Sequence, residues 1–207
     1  MLISYSHKFL FVHLYKTAGN SIVQALEPYA YRPDSWRPST WLPRLTVPSR
    51  LLLRENLPKH ISAADLKAAI PAEIFNPYFK FAFVRNPWDW QVSLYHYILD
   101  HPENPTYPLV KRLGSFEAYM HWRATDYRTQ TSQLCDAAGN LLVDFVGRIE
   151  SIEQDFREIC DRIGVKARLE HHNRSNHRHY RECYTDETRA IAAEIYAVDI
   201  ERFGYSF

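Results

Sequence analysis

Cysteine is sparse and poorly spaced for its usual structural work. The chain has three, Cys135, Cys160 and Cys183, an odd number with no C-x-x-C pair. That argues against a disulfide framework or a zinc ribbon and points to a reducing compartment. Long apolar runs are missing too. No segment has the length of a membrane span, and no apolar leader precedes the first strand. The expectation is a soluble, cytoplasmic protein without membrane insertion. Charge of one sign is also lacking, since the formal net charge is +1. No global field draws the molecule to nucleic acid or to an anionic surface, so any anion site is local. There is no internal repeat and no low-complexity tract.

What is present suits one globular domain over residues 1–207. At 46% hydrophobic and 24% charged, a chain of 207 residues buries a sizeable core, and a 14% aromatic share adds stacking surfaces. Apolar runs predict strands over Lys8–Leu14 and Phe79–Val84, and a third over Leu141–Ile149, interrupted at Gly147. Helices are predicted over Asn20–Pro28, over Ala63–Ile70 behind a Ser62 cap, and over Trp88–Leu99 and Phe116–Arg123. Two more follow, one from a Ser151 cap to Ile163 and one from an Asp186 cap to Arg202. His101–Pro108 carries three prolines and reads as a loop. Strands alternating with helices predict an α/β fold with a mostly parallel sheet. Between 29 and 59, Pro33, Pro38, Pro43, Pro48 and Pro58 recur with Trp36 and Trp41. Five arginines, Arg32, Arg37, Arg44, Arg50 and Arg54, lie among them. No period survives that proline density, and so long a loop is a candidate acceptor-site excursion.

The most informative stretch is Lys16-Thr17-Ala18-Gly19-Asn20-Ser21, between the first strand and the first helix. A turn of small residues leading into a helix N-terminus makes an anion site. Backbone N–H groups and the positive end of the helix dipole converge there. Lys16 adds a full charge, Thr17 and Ser21 add hydroxyls, and Gly19 permits close backbone approach. Walker A order is absent, because Lys16 precedes the only glycine. Arg85 ends the second strong strand, where ligands of open α/β sheets bind, and Ser93 lies about two turns along the next helix. A guanidinium matches phosphate bidentately and a hydroxyl adds a short hydrogen bond. Two separate anion sites suggest a nucleotide phosphorylated at two places.

These residues carry a family resemblance. The run Phe11-Val12-His13-Leu14-Tyr15-Lys16-Thr17-Ala18-Gly19-Asn20-Ser21 resembles the 5′-phosphosulfate loop of the sulfotransferases. Within that superfamily it is most similar to the carbohydrate branch, Golgi-type, heparan or uronosyl 2-O- and chondroitin-like, whose loop reads close to H-I-P-K-T-A-G-T-S. The segment from Phe81 through Arg85-Asn86-Pro87 to Ser93 and Tyr95 resembles the 3′-phosphate motif F-x-F-V-R-N-P-x-x-R-x-x-S-x-Y. Further matches fall at Val146–Glu150 with Asp155-Phe156, at His172–Ser175 and at Asp199–Tyr205, in family order. Residues 29–59 and 100–140 match no named segment.

The resemblance implies a P-loop-NTPase-like, three-layer α/β fold and the donor 3′-phosphoadenosine 5′-phosphosulfate. It assigns Lys16, Thr17, Ala18, Gly19, Asn20 and Ser21 to the 5′-phosphosulfate. Arg85 and Ser93 fall to the 3′-phosphate, and Asn173, Arg174 and Ser175 to the 3′-phosphate or adenine. Two departures stand out: Tyr15 replaces the usual proline, and Trp90 replaces a frequent arginine, removing one positive charge.

Sulfuryl transfer is an in-line displacement by an acceptor hydroxyl or, less often, an amine. Lys16 and the loop N–H groups suit the leaving oxygen. The acceptor needs a base titrating near neutrality. His60, in His60-Ile61-Ser62-Ala63-Ala64-Asp65-Leu66, resembles the catalytic-histidine segment of uronosyl 2-O-sulfotransferases and is the expected base. His13 and Glu55 are the rivals. Gln130-Thr131-Ser132-Gln133 reads as a solvated loop or a polyol contact, and Arg148 with Glu150 as a structural pair or a nucleotide border. His171, His172, His177 and His179 lack carboxylate or cysteine partners at ligand spacing, and the chemistry requires no metal. Glu187, Glu194 and Glu201 mark a solvated helix face. The partner expected is a small-molecule or carbohydrate acceptor, and oligomeric state is left open. The rival functions are a P-loop-type nucleotide or small-molecule kinase and a non-catalytic nucleotide-binding module.

Overall fold

The computed structural model describes residues 1–31, 42–43, 45–52, 57–170 and 178–207. The chain runs through β1 (Leu2–Ser4), β2 (Phe9–Val12), α1 (Gly19–Leu26), α2 (Ala63–Ala69), α3 (Ala72–Phe75), β3 (Phe79–Val84) and α4 (Pro87–Asp100). It continues through α5 (Tyr107–Leu113), α6 (Phe116–Arg123), α7 (Gln130–Leu134), β4 (Phe145–Arg148), α8 (Ile152–Ile163), α9 (Asp186–Ile195) and α10 (Ala197–Phe203). These elements divide into two compact units, Met1–Val84 with Ser132–His172, and Arg85–Thr131 with Asn173–Phe207.

The first unit holds a four-stranded sheet in the order β1-β2-β3-β4. β1 pairs antiparallel with β2, while β2–β3 and β3–β4 are parallel. The expected mixed α/β class, with a central, mostly parallel sheet flanked by helices, is therefore what the structure shows. Alternation sorts the strand residues by face. Phe9, Phe11, Phe81 and Phe83 pack with Ile22 and Leu26 of α1 and with Phe156, Ile159 and Ile163 of α8. Each fully buried phenylalanine there contributes about 1.5–3 kcal/mol. The other face carries Lys80, whose buried Nζ donates to Phe75 O of α3 and to Tyr78 O.

Three local expectations change. β4 is shorter than the predicted Leu141–Ile149: the Asp144 N–H still donates to Lys80 O, but the Lys80 N–H goes to the Asp144 side chain at 2.7 Å instead of to a backbone carbonyl. Gly147 does not interrupt the strand. It pairs in register with Phe83, and a Cβ there would meet that ring at 2.5 Å, so close approach explains the glycine. β1 is an additional edge strand, three residues long, too short to show a period.

The second unit is helical around an aromatic cluster that includes Trp88, Trp90, Tyr95, Tyr119 and Tyr196. Pro108 falls in the first turn of α5, so the proline-rich loop ends earlier than expected. The predicted last helix is two helices that meet at Tyr196. Its cap is Thr185, in a reciprocal capping box with Thr188, and Asp186 is the first helical residue. Glu187, Glu194 and Glu201 are exposed, as expected. In the first unit, Ser151 precedes α8 but gives its hydroxyl to Asp155 rather than capping the backbone.

Candidate active site

The Lys16–Ser21 turn links β2 to α1 with an unusual backbone. Lys16 has φ 59° and Ala18 has φ 52°, both in the left-handed region without being glycine. Each such residue costs about 1–3 kcal/mol and persists only where its surroundings impose it. Two contacts impose it here. The buried Thr17 hydroxyl donates to Leu14 O at 3.1 Å, closing the turn internally. The His13 imidazole packs against Gly19 so closely that a Cβ on Gly19 would fall 1.8 Å from His13 Nε2. The face that Gly19 leaves open is thus filled by a histidine ring. That contact involves a residue six positions away, and sequence spacing alone did not reveal it.

The turn delivers an uncapped helix. Ala18 at the N-cap offers no side-chain acceptor, no acidic residue lies in the first turn, and the ladder starts with Ile22 N–H to Ala18 O. The N–H groups of Gly19, Asn20 and Ser21 have no partner among the described residues. Helix N-termini need such partners, and this one favours an anion.

His60 lies just ahead of Ser62, which caps α2 by accepting the Asp65 N–H. Its Nδ1 lies 3.0 Å from His13 O. A carbonyl only accepts, so Nδ1 carries the proton and Nε2 carries the lone pair. The His60 ring sits 4.5 Å from the His13 ring and 4.5 Å from the Tyr15 ring, centroid to centroid. Tyr15, the departure from the family proline, is thereby a side wall for His60. Burial lowers the His60 pKa below the ordinary histidine value, partly offset by the bond to the His13 carbonyl. His13 is 3% exposed, and burial, with His60 and Lys59 nearby, pushes its pKa down to about 3. Among the described residues its Nδ1 has no hydrogen-bond partner. His13 is neutral at pH 7, and His60 is the half-buried histidine with an oriented lone pair. Glu55 lies outside the described residues.

Arg85 begins the second unit. Its Nε donates to Asp89 Oδ2 at 2.7 Å, an i,i+4 ion pair. Asp89 also sits in the first turn of α4, where the helix dipole favours a carboxylate. Asn86 caps α4 by accepting the Trp88 N–H, and its amide donates to Ser206 O. Ser93 is buried on α4, and its hydroxyl has no partner among the described residues. Asn173, Arg174 and Ser175 lie outside the described residues, as do His171, His172, His177, Trp36, Trp41, Arg32, Arg37, Arg44 and Arg54.

The sulfotransferase family model matches residues 1–206. The chain belongs to the sulfotransferase family. A search of curated proteins returns no match. Among solved structures, the mouse sulfotransferase SULT7A1 complexed with PAP is similar over 93% of this chain at 16% identity, with a TM-score of 0.36. This sulfotransferase spans 64% of the length of that mouse chain.

Other features of the sulfotransferase resolve without a ligand. Trp90, where the family often has arginine, is core: its ring stands edge-on to Tyr196 at 5.7 Å. Gln130-Thr131-Ser132-Gln133 is neither a loop nor a polyol contact at its start, because Gln130 and Thr131 are buried in the first turn of α7. The Arg148 N–H donates to Asp155 Oδ2, tying β4 to α8. Among the described residues, Glu117, His121 and Glu187 stand close enough to hold a metal, but all three are exposed.

Proposed function

We propose that this sulfotransferase moves a sulfuryl group from 3′-phosphoadenosine 5′-phosphosulfate to a hydroxyl of a carbohydrate or other small acceptor, in the cytoplasm. The observation that carries the reading is the Lys16–Ser21 turn, whose left-handed backbone presents an uncapped helix N-terminus beside a lysine. That arrangement suits the 5′-phosphosulfate. Lys16 and the N–H groups of Gly19, Asn20 and Ser21 stabilise the phosphate oxygen that departs when the S–O bond breaks. Arg85 and Ser93 hold the 3′-phosphate, with Asn173, Arg174 and Ser175 assigned beside it by the family resemblance alone. His60 Nε2 takes the proton from the acceptor hydroxyl as its oxygen attacks sulfur. The bond to His13 O fixes the tautomer that this step requires. The three cysteines are free, in keeping with a reducing compartment.

The test is turnover with labelled donor over an acceptor panel, alongside binding of 3′-phosphoadenosine 5′-phosphate (PAP). The His60→Ala variant is expected to lose about 10²–10⁴-fold in turnover while keeping its PAP affinity. Unchanged turnover removes His60 from the base role. Stabilisation by ATP with magnesium rather than by PAP turns the reading toward a kinase.

A further inference from the structure

Arg85 is held at its backbone as well as at its guanidinium. The Arg85 N–H donates to Gln130 Oε1 at 2.9 Å, and Gln130 Nε2 donates to Arg85 O at 2.8 Å. One side-chain amide thus pairs with both backbone polar groups of Arg85, as a neighbouring strand does. Gln130 is 0% exposed, so losing either bond strands a buried polar group.

Gln130 is itself anchored. Its backbone N–H donates to Asp199 Oδ2 at 2.8 Å, and the Thr131 N–H donates to Asp199 Oδ1 at 2.7 Å. Asp199 is 0% exposed, and its carboxylate sits at the N-terminus of α7, where the helix dipole favours negative charge. Burial raises its pKa, and the bonds from Thr131 and Gln130 oppose that rise. The links run Asp199 to Gln130 to the Arg85 backbone, all inside the second unit, and none is an exposed surface contact.

We infer that Gln130 and Asp199 are positioning residues for the Arg85 guanidinium, fixing the residue assigned to the donor's 3′-phosphate through its backbone. The inference rests on that assignment. Asp89 sets the Nε edge of the side chain, while Gln130 sets the backbone from which the side chain projects. Both Gln130 and Asp199 are fully buried. Their effect is felt only through Arg85, and it is therefore specific to the 3′-phosphate.

The experiment is calorimetric titration of full-length protein with PAP and with adenosine 5′-phosphate, which lacks the 3′ group. The native chain is expected to prefer PAP. Gln130→Ala is expected to reduce PAP affinity by about tenfold, the scale of one well-made hydrogen bond, and to leave adenosine 5′-phosphate affinity unchanged. The Arg85→Ala/Gln130→Ala double variant is expected to bind PAP no worse than Arg85→Ala, because the two act as one unit. Equal loss toward both ligands, or additive losses in the double variant, overturns the inference. Should Gln130→Ala fail to fold, Gln130→Glu keeps the side-chain shape and sets a carboxylate oxygen against Arg85 O. The same PAP-selective loss supports the inference there, and an unselective loss overturns it. A native chain that binds both ligands equally overturns the 3′-phosphate assignment itself, a result distinct from failure of the variants.

Discussion

At the scale of single residues, two histidines in ring contact differ in burial and therefore in how readily they take a proton. His60 is half-buried, and its Nδ1 proton is committed to His13 O, which leaves Nε2 with the lone pair that the proposed base role needs. Its lowered pKa keeps it neutral further into acid, and the acid limb of kcat/KM is expected below pH 6.5, the unperturbed histidine value. Tyr15 adds a second constraint by packing on the same ring. Tyr15→Ala is expected to lower kcat severalfold, since it removes the ring that packs on His60. Steady-state kinetics of the variant checks this.

His13 answers to pH through stability. Its pKa near 3 in the folded chain against 6.5 unfolded means the unfolded chain binds more protons between those values. Stability from this group is complete above pH 6.5 and is lost as pH falls toward 3. The loss is about 2 kcal/mol at pH 5, from 1.4 kcal/mol per pH unit. Urea unfolding is expected to show lower stability at pH 5 than at pH 7, and His13→Gln to shrink that difference by about this amount, the remainder coming from other groups with lowered pKa such as His60.

At the scale of elements, β2, its turn and α1 form one device, and Gly19 is its tightest point. A methyl at Gly19 collides with the His13 ring, which is itself stacked on Phe11 at 5.6 Å and cannot retreat cheaply. Gly19→Ala is expected to destabilise by about 1–3 kcal/mol, the range for overpacking, and to weaken PAP binding. Denaturant melts and titration measure both effects. The main strands and helices were legible because their apolar residues recur with local period, as in Phe79–Val84 and Phe116–Arg123. The burial of Gln130 was not, because its partners Arg85 and Asp199 lie 45 and 69 residues away and nothing local marks a polar helix start as buried. The cap at Thr185 was missed for a related reason. Thr185 and Asp186 are both good capping residues, and only the reciprocal bonds with Thr188 separate them. The Lys16 turn stands out by residue type and spacing, whereas His60 is singled out by the resemblance of its segment to the family's catalytic-histidine segment. The roles of His13 and Tyr15 depend on ring packing between a strand end and a distant loop, which has no sequence period.

At the scale of the whole molecule, membership in the sulfotransferase family spans residues 1–206. The Lys16–Ser21 turn belongs to the first compact unit, and Arg85 and Ser93 belong to the second. Among the described residues no helix is long and apolar enough to cross a membrane. The most direct measurement is calorimetric titration of the native chain, Lys16→Ala and Arg85→Ala with PAP, with ATP and magnesium as the contrast. Saturable one-to-one PAP binding is expected, tighter than ATP, with each substitution weakening it about 10–100-fold, the range for charged hydrogen bonds. Preference for ATP with magnesium, or PAP affinity indifferent to both substitutions, contradicts the account.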